Sequence, residues 1–182
     1  MVARSSLPVP LSTPRLTLRE LTDADAPFIL ALMNDERFIT HIGDRGVRSL
    51  AQARDYIARG PWTPYSTLGF GLWLVELRGT ATPIGICGLL KRDVLPHPDI
   101  GFAFAAAFRS QGYAFEAAST VMAFARDALH ARQILAIVDP SNTASVRLLE
   151  KLGFAFDRLT RMREDASDIA LYAARFDTIG AP

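Results

Sequence analysis

The strongest constraint on the fold of this chain is a change of periodicity around residue 110. Nine apolar residues run without a break from Ile100 to Phe108 and stop at Arg109. Ser110-Gln-Gly112 follows, and an apolar-rich helical pattern then continues to about Leu129. The first part, Ile100-Gly-Phe-Ala-Phe104, reads as a strand, and Ile134 to Val138 supplies another strand after the helix. A strand that passes through a short polar turn into a long helix, and then into a further strand, belongs to a layered α/β architecture rather than a sandwich or a bundle.

The flanking segments fit the same plan. Arg15 to Leu21 alternates apolar and polar residues at period two behind Pro14, as a half-buried strand does. Thr22-Asp-Ala-Asp places a cap and two acids ahead of Phe28, Ile29, Leu32 and Met33, a helix start with negative charge at its positive end. A second helix is expected over Ser49 to Arg59. Leu68 to Leu77 and Ile84 to Leu90, separated by Arg78 to Pro83, read as an antiparallel hairpin. Beyond Val138, Asp139 to Ser145 forms a turn with caps, Val146, Leu149 and Leu152 make one helical face, and Gly153 ends it. Phe154 to Met162 and Asp168 to Phe176 read as closing strands. No repeat or linker divides the chain, so residues 13–176 are expected to form one domain between a loose segment 1–12 and a tail 177–182.

Composition removes several classes of function. With 20 basic and 19 acidic side chains the net charge is +1, too little for the broad positive field of a nucleic-acid binder. No apolar run reaches the ~20 residues of a membrane span, and two prolines interrupt the N-terminal stretch where a signal peptide would be apolar. Cys87 is the sole cysteine, which excludes an intrachain disulfide and a Cys-rich zinc site. A cytoplasmic protein without membrane, metal or nucleic-acid partner is the expectation.

The junction at Arg109-Ser-Gln-Gly112-Tyr-Ala114 carries the chemistry. The first amides of a helix lack internal acceptors and bear about half a positive charge, so they can grip phosphate oxygens. Gly112 permits close approach of a ligand, Ala114 keeps the turn small, and Arg109 offers a positive charge. A strand-to-helix turn with glycine for purely steric reasons is the alternative. Neither Gly-x-Gly-x-x-Gly nor the P-loop pattern occurs.

Arg109, Gly112 and Ala114 match Arg/Gln-x-x-Gly-x-Gly/Ala, and Ala136-Ile-Val-Asp-Pro-Ser-Asn142-Thr-Ala-Ser145-Val-Arg-Leu-Leu-Glu-Lys-Leu-Gly153-Phe154 follows in order. Together these resemble the GNAT superfamily of acetyl-CoA-dependent N-acetyltransferases. Ile100-Gly-Phe, Gly112-Tyr-Ala-Phe-Glu116-Ala, Asn142-x-x-Ser145 and Thr13-Pro-Arg-Leu-Thr-Leu-Arg are similar to the branch containing the ribosomal-protein N-terminal acetyltransferases. The resemblance covers roughly residues 13 to 176. It implies a mixed, largely antiparallel sheet of about seven strands flanked by helices and splayed between the strands Ile100–Phe104 and Ile134–Val138.

It also implies roles. The backbone at Phe102, Ala103 and Phe104 would run along the pantetheine arm of acetyl-CoA, and the amides of Arg109, Ser110, Gln111, Gly112, Tyr113 and Ala114 would hold its pyrophosphate. Asn142 would bond the arm; its plainer reading is a helix cap. Many family members carry a tyrosine acid where this chain has Leu149, so Ser145 becomes the candidate proton donor to the leaving thiolate. A hydroxyl bonded to nearby backbone is the alternative for Ser145.

The reaction needs a neutral amine, since only a free lone pair attacks a thioester. An α-amino group, with a pKa near ~8, is nearer neutrality than a lysine near ~10.4. Asp99 could deprotonate the amine through water, although an exposed strand-end carboxylate is the simpler reading. Glu116 should turn sideways, because a carboxylate would oppose a bound pyrophosphate. His97 could face the acceptor, whereas His41 and His130 lack a partner at catalytic or metal spacing and read as solvated or packed. Phe70, Trp73, Phe102 and Phe104 read mostly as core, with Trp73 also a candidate for the acceptor cleft. Cys87 reads as a small buried residue.

The expected activity is direct acetyl transfer from acetyl-CoA to a primary amine, foremost the N-terminal α-amino group of a protein or peptide. A small-molecule amine is the first alternative, and a non-catalytic acyl-CoA-binding protein, suggested by Leu149, is the second. Loops around residues 34 to 67 would select the acceptor, and their Arg37, Arg45, Arg48, Arg54 and Arg59 could attract an acidic one or simply be solvated surface arginines. The resemblance also leaves room for a homodimer through an edge strand near the C-terminus.

Overall fold

The computed structural model describes residues 10–60, 65–162 and 167–176. Most of the expected loose N-terminal segment, the expected tail and the short stretches 61–64 and 163–166 lie outside them. Eight strands form a single sheet: β1 (Leu11–Ser12), β2 (Leu16–Arg19), β3 (Leu72–Leu77), β4 (Thr82–Leu90), β5 (Asp99–Phe104), β6 (Gln133–Val138), β7 (Ala155–Thr160) and β8 (Ile169–Arg175). The helices are α1 (Ala26–Met33), α2 (Glu36–Ile42), α3 (Leu50–Arg59), α4 (Tyr65–Leu68), α5 (Tyr113–Asp127) and α6 (Thr143–Lys151). In space the strands run β1-β2-β3-β4-β5-β6-β8-β7.

Strand β3 shows why the sheet has two covered faces. Trp73 and Val75 pack with Leu16, Leu18, Val121 and Phe124 on the α5 side, while Leu72 and Leu74 pack with Ile29, Met33 and Ile57 on the side of α1 and α3. A strand buried on both faces loses the apolar-polar alternation of β2, where Leu16 and Leu18 are buried and Thr17 and Arg19 only partly so. Trp73 lies wholly in the core, edge-on to Phe124 at 5.3 Å between centroids, and so does not reach an acceptor cleft. Cys87 is likewise fully enclosed, and burial pushes its thiol pKa up.

All neighbouring strands are antiparallel except β5 and β6. That parallel pair is joined in register at one place, Asp99 opposite Leu135, with Leu135 N–H donating to the Pro98 carbonyl at 2.9 Å. Beyond it the strands part, and the sheet opens toward their C-terminal ends. This is the expected splay.

The structure adds β1, α2 and α4 to the sequence reading and starts β3 four residues late. Leu68 ends α4, and Gly69, at φ +75°, turns the chain before β3 begins. Helix α2 falls in a stretch read as loop. Asp35 caps it by accepting from Arg37 N (3.0 Å) and Phe38 N (3.2 Å), Phe38 is buried, and Gly43 at φ +103° stops it.

Candidate active site

The opening between β5 and β6 becomes a cleft of about 400 Å³. One wall is the end of β5 and the start of α5: Phe102, Ala103, Phe104, Phe108, Arg109, Ser110, Gly112, Ala114 and Phe115. The opposite wall is α6 with its approach: Asn142, Ala144, Ser145, Arg147, Leu148 and Lys151. Helix α2 forms the roof, presenting Arg37, Phe38, His41 and Ile42.

The first wall has the features of an anion cradle. Helices α2, α3 and α6 are each capped by a side chain, from Asp35, Ser49 and Asn142 respectively. Helix α5 is not; its N-cap is Gly112, so no side chain takes its first-turn N–H groups. Ser110 and Gly112 both have positive φ, +61° and +82°, a turn geometry that gathers successive amides around a concavity. The one acid in the first turn, Glu116, is turned away. It accepts from Thr13 Oγ1, from Arg15 N at 3.0 Å and from Arg15 Nε at 2.6 Å. Burial alone would raise the Glu116 pKa, but these donors together bring it below the ordinary carboxylate range.

Arg109 is anchored rather than mobile. Its Nε donates to the Phe104 carbonyl at 2.8 Å and its Nη2 to Asp35 Oδ1 at 2.6 Å. Asp35 therefore both caps α2 and ties it to the first wall. Burial opposes ionisation of Asp35, yet Arg109 and the two capping amides outweigh it and lower its pKa. Gln111 and Tyr113 stand behind the lining. Gln111 Nε2 donates to Ala107 O at 2.7 Å, and the Tyr113 ring lies under the Arg15 guanidinium at 4.5 Å. They contribute backbone to the turn, not side chains to the cleft.

On the opposite wall Asn142 is the helix cap of its plainer reading. Its Oδ1 caps α6 by accepting from Ser145 N at 3.2 Å, and its Nδ2 carries no hydrogen bond among the described residues. The Ser145 hydroxyl likewise has no protein partner among them, so it is not spent on nearby backbone. Leu149, at the position of the family tyrosine, is 1% exposed and packs into the core, where it offers no proton.

Two sequence expectations are corrected. Asp99 is not an exposed strand-end carboxylate: it is fully buried, both oxygens lie 3.0 Å from Arg92 Nε, and burial pushes its pKa up to about 6 against the pull of Arg92. It sits at the closed end of the splay and outside the cleft lining. His41 does have a partner. Its Nδ1 lies 2.8 Å from Asp139 Oδ2, across 98 residues of sequence, which ties the far end of α2 to the second wall. Sequence spacing gave no signal for this pair, since it exists only once α2 spans the splay.

No helix among the described residues is long and apolar enough to cross a membrane, and no group of three or more His, Cys, Asp or Glu there could hold a metal ion. Fold and cleft together define an α/β protein whose sheet splays around a cleft that holds an uncapped helix N-terminus. Comparison with known proteins gives the family. Residues 15–155 match the model described as the acetyltransferase (GNAT) domain. The chain is 31% identical over 152 residues to YoaA, an uncharacterized N-acetyltransferase of Bacillus subtilis, covering 83% of this chain and 85% of that one. An acetyltransferase structure from Agrobacterium tumefaciens superposes with a TM-score of 0.78 at 26% identity, over 91% of this chain and 94% of that one. The ribosomal L7/L12 α-N-protein acetyltransferase RimL, solved with coenzyme A, shares the fold at a TM-score of 0.77 and 18% identity, over 94% and 98% of the two chains. The chain belongs to the GNAT acetyltransferase family. It is an N-acetyltransferase with acetyl-CoA as its cosubstrate, and the uncapped α5 amides of the cleft fit the pyrophosphate of that donor.

Proposed function

We propose that the protein transfers an acetyl group directly from acetyl-CoA to the N-terminal α-amino group of a protein or peptide in the cytoplasm, within one domain spanning 13–176. The observation that carries this reading is the pairing, in one cleft, of the uncapped α5 N-terminus with an unpartnered Ser145 hydroxyl. The Arg109 N–H is held by the Ala106 carbonyl at 3.3 Å, so the amides from Ser110 to Ala114 take the pyrophosphate, the backbone at Phe102 to Phe104 aligns the arm, and Asn142 Nδ2 donates to it. Bound acetyl-CoA supplies the activated thioester. Ser145 gives a proton to the departing thiolate. Transfer needs no cysteine intermediate, which accords with the enclosure of Cys87, the chain's single cysteine.

The α-amino acceptor is supported by chemistry and by likeness. Such amines are uncharged in larger fraction near neutral pH than lysine side chains, with pKa values of ~8 against ~10.4. RimL, named for α-N-protein acetylation, has the same fold. Strand β7, at the sheet edge with Phe156 and Leu159 more than half exposed, is the surface open to a second copy.

Thiol release from acetyl-CoA, measured with Ser- and Ala-initiated peptides, lysine peptides, polyamines and aminoglycosides, tests the acceptor. Turnover with the N-terminal peptides is expected; turnover confined to a small amine would replace that acceptor. Ser145→Ala should lower kcat by roughly 100-fold with little change in KM for acetyl-CoA. An unchanged kcat would remove Ser145 from the reaction.

A further inference from the structure

Helix α2 crosses the splay like a tie-bar. Asp35 binds Arg109 on the β5 side, and His41 binds Asp139 on the β6 side. The second tie has a chemical consequence that the first lacks. Asp139 is ionised: the hydrogen bond from His41 holds its pKa below the ordinary carboxylate range, with help from Ser141 N and Oγ against burial. A carboxylate can only accept, so the hydrogen between the two groups belongs to His41 Nδ1. In the neutral ring Nε2 is then the bare nitrogen, and it has no hydrogen bond among the described residues. The ring lines the same cleft as Ser145.

From this geometry we infer that His41 is the catalytic base of acetyl transfer, with Asp139 its positioning residue. The inference rests on transfer in this cleft but not on the choice of acceptor. The amine lone pair attacks the thioester carbonyl carbon, forming the C–N bond as the C=O pair moves to oxygen. The excess proton on nitrogen passes to His41 Nε2. The C–O double bond re-forms, the C–S bond breaks with its electron pair on sulfur, and the thiolate takes the Ser145 proton. His41 returns its proton to Ser145 through water, so acetyl-CoA and amine yield amide and free thiol with both side chains restored. Asp99 is a poorer base here, because Arg92 occupies its carboxylate and it lies outside the lining.

The Asp139 environment makes the positioning role separable from structure. Oδ1 accepts from Ser141 N at 2.9 Å and Ser141 Oγ at 2.8 Å, leaving Oδ2 for His41. In Asp139→Asn the remaining carbonyl oxygen stays with the two Ser141 donors. The amide NH₂ then faces His41, donates to Nδ1 and forces the hydrogen onto Nε2. The contact survives while the base is blocked.

The test measures thiol release from acetyl-CoA with water as the only nucleophile and, in parallel, with Ser- and Ala-initiated peptides. His41→Gln keeps a donor for Asp139 but cannot accept the proton, so it should slow both reactions by about 100-fold. His41→Ala should be slowed similarly and regain rate with added imidazole. Nitrogen-15 NMR of the ring should report the Nδ1–H tautomer in the wild type and Nε2–H in Asp139→Asn, with kcat lowered in that variant. Slowed hydrolysis in His41→Gln without any peptide turnover would keep the base and overturn only the α-amino acceptor. Wild-type rates in folded His41→Gln, or no imidazole rescue of His41→Ala, would overturn the base and leave that acceptor standing.

Discussion

Asp99 begins β5 with its carboxylate enclosed and both oxygens shared with Arg92. Its pKa rises because burial disfavours the charge more than Arg92 restores it, reaching about 6 against an ordinary 3.8. Between those values the folded protein binds more protons than the unfolded chain, so this residue makes stability fall as pH rises from about 4 to 6. Asp25, Asp35 and Glu116 have lowered pKa values and act in the opposite sense: their contributions are present at higher pH and are lost as acid protonates them. Asp99→Asn removes the first effect alone. The stability of wild type relative to the variant, from urea unfolding, should fall by on the order of 2 kcal/mol between pH 4 and 6. A difference that stays constant across that range would mean Asp99 does not titrate there. Residue 99 shows where sequence stops: a carboxylate at a strand start was legible, its burial was not, because Arg92 covers it only after the β4–β5 loop folds back.

Elements set the cleft through backbone spacing. At Gly88 in β4, a Cβ would lie 2.0 Å from the Gly71 carbonyl oxygen and 2.8 Å from Leu72 Cα, so the two backbones cannot remain paired around a side chain. At Gly101, opposite it on β5, the nearest atoms are the ends of the Leu90 and Leu72 side chains, at 2.7 and 3.4 Å, which can turn aside. Gly88→Ala should therefore cost more than about 3 kcal/mol and Gly101→Ala about 1, as measured by denaturant unfolding. Comparable losses would show that strand approach does not limit the sheet here. The hairpin of β3 and β4 was readable from two apolar runs around a polar loop, and α5 from its glycine start and apolar face. Helix α2 carried a readable signal too, Asp35 as cap with Phe38 and Ile42 one turn apart, but its charged neighbours made it pass for loop.

At the scale of the whole molecule, one continuous sheet carries both walls of the cleft, so a ligand across the splay should stabilise the entire chain. Acetyl-CoA at ~100 times its dissociation constant should add roughly 2.7 kcal/mol and raise the melting temperature by about 5–10 °C. Calorimetric scans with and without it would check this, and an unchanged melting temperature at saturating acetyl-CoA would remove the cleft as its site. Sequence by itself determined the alternation of strands and helices, the glycine at the start of α5 and the pair Asn142 and Ser145, because periodicity, turn conformation and capping act over a few residues. Only the tertiary structure decided which groups meet: Arg109 with Asp35, Glu116 with Thr13 and Arg15, and His41 with Asp139. Those pairs are 74 to 103 residues apart in the chain. Their meeting depends on how two parallel strands part and how a short helix bridges the gap, which no local preference encodes.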